Sequence, residues 1–253
     1  MAINDNRYAQ AGAGQVATET VDQGLRAYMS RVYSYMSGGV LLSGLTAYGT
    51  YAMAVAQTKA NGGLVLTDFG KLMYQSPLKW VIMLLPLAFV LFLSFRAYKM
   101  SVAATHVAYW LFAAAMGLSL SSIFVVFKLG SITQVFFITA AMFAALSAYG
   151  YATKKDLSSW GTFLFMGVVG LVIAGLVNIF LQSPALQFAI SCIAVLVFAA
   201  LTAYDTQQIK DQYYEVYGDA QVAAKSAIMG ALNLYLDFIN MFTSLLNLLG
   251  DRD

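Results

Sequence analysis

The sequence has 253 residues, of which 60% are hydrophobic and only 10% charged, with a formal net charge of +2. Soluble domains carry about 25% charged residues, so this composition excludes an ordinary soluble enzyme or scaffold and places the chain in a lipid bilayer. The 14 basic residues are scattered, which excludes a nucleic-acid footprint, and the lone cysteine, Cys192, rules out an intrachain disulfide.

In chain order, residues 1–25 are polar and rich in Gly, Ala, Gln and Thr, with no apolar signal-peptide region. They are expected as a mobile tail. About 20 apolar residues span the hydrocarbon core as a helix. The charge-free stretch between Arg31 and Lys59 predicts a first span near 32–56. Lys79 and Arg96 bracket a second, which contains Pro86. A third is predicted at 102–127 and a fourth at 132–152. Between Asp156 and Asp205 no residue is charged, which is room for two spans broken at "LQSPALQ" (181–187), where Pro184 makes a turn. The last span is predicted at 229–249. The expected architecture is an all-α integral membrane protein with a seven-helix transmembrane domain over 26–250 and a short end at 251–253.

Lys and Arg set the orientation. With the N-terminus inside, inner segments hold Arg7, Arg26, Arg31, Arg96, Lys99, Lys154, Lys155, Lys210 and Lys225, against Lys59, Lys71, Lys79, Lys128 and Arg252 outside. That bias favours N-inside and C-outside. "TAYG" (46–49), "SAYG" (147–150) and "TAYD" (202–205) recur near the ends of three spans, a weak sign of internal repetition.

The last span is the most specific. Asn233, Asp237, Asn240, Ser244 and Asn247 share one helical face, and lipid cannot satisfy such a stripe. The helix is therefore expected to lie within the bundle, its asparagines bonding across helices or lining a path. A charge at mid-membrane costs about 3 kcal/mol even on lenient insertion scales, so Asp237 reads as functional. Counting helical rise places Asp237 about 20 Å, and Asp205 about 27 Å, below the same membrane face. The two are thus within about 7 Å in depth on consecutive helices, which commonly pack together. Two carboxylates sharing a site cannot both ionise easily, so they would titrate as a unit. When deprotonated they would attract a hard cation such as Ca²⁺, held transiently. Arg96, at the same end of the second span, is a possible latch on Asp205 or a snorkelling anchor. His106 is expected as a hydrogen-bonded structural residue and Asn178 as packing glue. No cofactor motif is present.

"RVYSYMSGGVLLSGLTAYG", "ALSAYGYATKKDLSSWG", "LTAYDTQQIK" and "LYLDFINMFTSLLNLLG" resemble the bacterial branch of the transmembrane Bax inhibitor motif family, over residues 26–250. The resemblance implies six helices packed around a central seventh, and a pH-sensing aspartate pair, here Asp205 and Asp237, that controls a Ca²⁺ leak across the bacterial inner membrane. It also implies a latching arginine on the second helix, for which Arg96 is the candidate. Family links to stress and cell-death control support a second reading, in which the bundle binds and regulates another membrane protein through its tail or the 208–228 loop. An intramembrane aspartyl protease would also pair a Tyr-Asp with a second aspartate. The motifs fail, however: the second aspartate lies in "LYLD" rather than Gly-x-Gly-Asp, and "PAL" (184–186) precedes both aspartates. No lysine on the last span offers a retinal site.

Overall fold

The computed structural model describes residues 5–58 and 64–252. Residues 1–4 of the expected tail, Lys59 and Asp253 lie outside the described residues. Helix α1 (Asp5–Ala54) leads into a two-stranded hairpin, β1 (Val55–Thr58) and β2 (Leu64–Leu66), and then a short helix α2 (Asp68–Tyr74). Next come α3 (Leu78–Arg96), α4 (Val102–Leu120), the single turn α5 (Ile123–Val126) and α6 (Leu129–Ala152). The chain ends in α7 (Gly161–Leu181), α8 (Pro184–Val216) and α9 (Ala220–Leu249).

Among the described residues, six helical segments are long and apolar enough to cross a membrane: Leu78–Arg96, Val102–Val126, Leu129–Ala152, Ser158–Leu181, Pro184–Val216 and Ala220–Leu249. Helix α1 contains the first expected span but mixes Gly, Ser, Thr and Tyr among its apolar residues. The same helix reaches back to Asp5, so residues 5–25, expected as a tail, continue it as helix.

Local chemistry explains where the long helices start. Ser101 caps α4 by accepting from the Ala104 amide at 3.2 Å. Ser183 caps α8 through Leu186 N, with Pro184 at the first helical position. Asp219 caps α9 by accepting from Gln221 N at 2.9 Å and Val222 N at 3.0 Å. The chain reaches that cap through Gly218 at φ +107°, a conformation that favours glycine. Asn178 closes the α7–α8 turn: its Nδ2 donates to Gln187 Oε1 at 3.1 Å and its Oδ1 accepts from Ser183 N at 3.1 Å. The glue expected of it between helices is thus partly a bond to α8, at Gln187, and partly a closure of the turn, at Ser183.

The 208–228 segment, expected as a loop, is mostly helix. Helix α8 runs through it to Val216, and α9 begins at Ala220. Its Gln, Lys, Asp and Glu residues leave the apolar run but are good or tolerable helix formers, so the change in polarity marks the membrane surface rather than the helix end.

Helix α9 is the most enclosed spanning helix, with 61% of its most apolar window buried against at most 33% for the others. It packs chiefly against α8, α1, α6 and α4, while α3 leans on α4 and α7 on α8. Outward surfaces are apolar, as at Phe163 and Phe180 on α7, which suits lipid contact. Without a hydrophobic drive between helices in lipid, close approach depends on small residues. At Gly117 a Cβ would stand 2.5 Å from the Ser43 carbonyl oxygen of α1, and at Gly150 it would collide with that of Ala203 on α8.

Candidate functional site

Asp205 lies on α8 and Asp237 on α9, the two helices joined by the Gly218–Asp219 turn. Their carboxyl groups meet side chain to side chain, the juxtaposition expected from helical depth. Asp237 is only 4% exposed, and its Oδ2 is buried without a hydrogen-bond partner among the described residues. Asp205 is half-buried. Facing carboxyls are held together only when a proton is present between them, because two ionised groups repel. Full removal of protons would separate the pair or recruit a cation.

Hydroxyls that sequence reasoning missed flank Asp205 along α8, at Thr202 and Thr206. Thr206 Oγ1 donates to Thr202 O at 2.7 Å and lies 2.9 Å from Ser147 Oγ on α6. Ser147 Oγ is in turn 2.6 Å from Tyr33 Oη on α1. This chain ties three helices together beside the pair. The repeated tetrapeptides offered the signal, since Ser147 opens "SAYG" and Thr202 opens "TAYD". The next residue, buried Gln207, clamps the α6–α7 link, donating to Lys155 O at 2.9 Å and accepting from Leu157 N at 2.8 Å.

A second buried polar centre lies on α9 two residues before Asp237. Tyr235 reaches Ser43 Oγ at 2.6 Å, and Ser43 Oγ is 2.7 Å from the Ala113 carbonyl oxygen of α4. Phe112 packs edge-on against the Tyr235 ring at 5.3 Å.

The asparagines of α9 behave differently from the pair. Asn233 and Asn247 are exposed and Asn240 is half-buried. Asn240 Nδ2 donates to Leu236 O at 2.8 Å and Asn247 Nδ2 to Thr243 O at 2.9 Å. The expected interhelical bonds are thus replaced by bonds to their own helix. The cause is the open face they occupy, adjacent to the face that carries Asp237 and Ser244. Ser244 is buried and donates to Asn240 O at 2.7 Å.

Arg96 ends α3 with its side chain exposed. No ion pair joins Arg96 to either aspartate among the described residues. His106 Nε2 is 3.2 Å from Tyr35 Oη, with the rings edge-on, the structural role expected of it. No cluster of three or more His, Cys, Asp or Glu occurs among the described residues. Ca²⁺ takes 6–8 oxygens, so a cation at the pair would complete its shell with water or neighbouring hydroxyl and carbonyl oxygens.

Fold and site together define a helical integral membrane protein with a buried acid pair between its last two helices. The chain belongs to the family described as inhibitor of apoptosis-promoting Bax1, whose model matches residues 25–253. It is 42% identical over 231 residues to the inner membrane protein YbhL of Escherichia coli (strain K12), covering 90% of this chain and 93% of that protein. It is 40% identical over 234 residues to protein RP147 of Rickettsia prowazekii, covering 92% and 93%. It is also 35% identical over 232 residues to the membrane protein SpyM3_0260 of Streptococcus pyogenes serotype M3, covering 92% and 96%.

Proposed function

We propose that the protein is a seven-span, pH-sensitive Ca²⁺ leak of the bacterial inner membrane, with the N-terminus inside, the C-terminus outside and α1 supplying the seventh span. Asp205 and Asp237 act as gate and sensor, and the open face of Asn233, Asn240 and Asn247 lines the path. The observation that carries this reading is the contact of Asp205 with a buried Asp237 whose Oδ2 has no hydrogen-bond partner among the described residues. A carboxyl pair this expensive to bury in a membrane marks an ion or proton pathway by default. Each asparagine on the open face that turns its amide back on the helix keeps its side-chain oxygen available to a passing cation. The inner-membrane placement follows the name of the relative YbhL. Arg96, exposed at the end of α3, is proposed as a latch in a conformation other than this one.

Ca²⁺ entry into liposomes carrying the purified chain tests the reading between about pH 5 and pH 8, a window above the range in which an ordinary aspartate titrates. The expected result is a flux that changes with pH in the wild type and is flattened by Asp205→Asn and by Asp237→Asn. One profile shared by all three proteins would sink the channel reading and favour a membrane-embedded regulator of another protein.

A further inference from the structure

The bundle is open sideways between α1 and α6. These helices approach through Tyr33 Oη and Ser147 Oγ, and beside that contact runs a groove of about 880 Å³. Met36, Val40 and Leu41 form its α1 wall, Ala140 and Ala144 its α6 wall, and Phe238 of α9 its floor. A second hollow of about 380 Å³ continues it past Gly44 and Phe136 towards Phe124 and Phe137. Val40, Gly44, Phe136 and Phe238 line both hollows, so they form one furrow. From Arg26 to Tyr48 the furrow follows about 33 Å of helix, close to the roughly 30 Å hydrocarbon thickness. A Cβ at Gly44 would meet nothing within 4 Å, so the space is open where the two hollows join.

The two ends of the furrow differ in charge. The Phe124 end is lined by no ionised side chain. At the other end Arg26 and Tyr151 line the wall. Lys210 Nζ donates to the Tyr151 carbonyl oxygen at 3.1 Å and sits 5.4 Å from the centre of its ring. On the same ends of α1, α6 and α8 the basic groups are Arg26, Arg31, Lys154, Lys155 and Lys210, and the acidic ones Glu19, Asp22, Asp156, Asp211 and Glu215. Asp156 already accepts from Ser158 N at 2.8 Å. Of the charged groups, the one that lines the furrow itself is the cation Arg26.

We propose that this furrow is a binding site for an anionic phospholipid. One acyl chain lies between α1 and α6, and the phosphate headgroup rests on the basic rim set by Arg26 and Lys210. The hydrocarbon core is two chains thick, so the part of the slot next to Arg26 takes one extended chain of a single leaflet, and the cationic end fixes which way it lies. A zwitterionic lipid gains the same apolar contact but less from the rim. Because the chain rests on Phe238, the neighbour of Asp237, the bound lipid touches the helix that carries one member of the acid pair.

Native mass spectrometry of the purified full chain, titrated with phosphatidylglycerol and with phosphatidylcholine of identical acyl chains, tests the proposal. The wild type is expected to retain phosphatidylglycerol preferentially. Arg26→Gln, a change at an exposed position, should weaken phosphatidylglycerol about fivefold and leave phosphatidylcholine unchanged. Gly44→Leu, which fills the slot, should weaken both lipids. Gly170→Leu, at an exposed position on α7 where a Cβ also meets nothing within 4 Å, should weaken neither. Equal retention of the two lipids by the wild type would overturn the proposal, as would an Arg26→Gln variant with unchanged preference. A dimer that Gly44→Leu converts to monomer would also overturn it, assigning the furrow to a second copy of the chain.

Discussion

Gly150→Leu is expected to destabilise the bundle by about 3 kcal/mol, the upper part of the range for overpacking. Gly150 is buried on α6, and a Cβ there would run into the carbonyl oxygen of Ala203 on α8. Flexible side chains can swing away from an intruding atom, but here the obstacle is backbone, so the two helices must separate along their length. The contact also sits beside function: Ala203 lies two residues before Asp205, and the Ser147–Thr206 bond of 2.9 Å spans the same seam. Thermal unfolding of the purified variant, followed by loss of monodisperse protein, checks the expectation. Gly175→Leu is the control, since a Cβ on that α7 residue meets nothing within 4 Å, and it should unfold with the wild type. Equal behaviour of the two variants would show that α6 and α8 do not depend on this close approach.

Tyr235→Ala should cost about 4 kcal/mol, in the range found for removing a large buried aromatic. The side chain is 0% exposed, packs on Phe112 and bonds Ser43, so its loss opens a cavity where α1, α4 and α9 converge. Tyr235→Phe keeps the ring and removes only the hydroxyl. It should cost about 1 kcal/mol, because Ser43 retains the Ala113 carbonyl as a partner. Measured midpoints in the order wild type, Phe, Ala with a wide second gap would assign the contribution mainly to packing. A Phe variant as unstable as Ala would assign it to the hydroxyl network.

Much of the architecture was legible in the sequence because charges bracket apolar runs. The second span, read between Lys79 and Arg96, is α3 at Leu78–Arg96, and the fourth, read as 132–152, ends with α6 at Ala152. The turn at "LQSPALQ" falls where Ser183 and Pro184 open α8. The meeting of Asp205 and Asp237 was legible too, since helical rise fixes depth and consecutive helices tend to be neighbours.

Other features were hidden for identifiable reasons. Hydropathy reports where a chain leaves the apolar phase, not where its backbone bonds stop, so α8 runs on to Val216 through a segment read as loop. The β1–β2 hairpin rests on backbone pairing of Val55 with Leu66 and of Thr58 with Leu64, which has no charge or period to announce it. The stripe of asparagines was correctly placed on one face, but periodicity cannot say whether an amide reaches across to a neighbour or back to its own helix. The Tyr33–Ser147–Thr206 chain joins residues up to 114 positions apart in single steps. Serine, threonine and tyrosine are too common in membrane helices for such a network to stand out.

The central claim is that Asp205 and Asp237 hold a proton in common and titrate together. Infrared titration of the carboxyl C=O band in the reconstituted protein tests this most directly, with each single aspartate-to-asparagine variant measured beside the wild type. The account predicts two linked steps in the wild type and one step in each variant, displaced from both wild-type steps because the remaining carboxyl has lost its acidic neighbour. A band in Asp205→Asn that reproduces one wild-type step, matched by Asp237→Asn reproducing the other, would show two independent carboxyls and contradict the account.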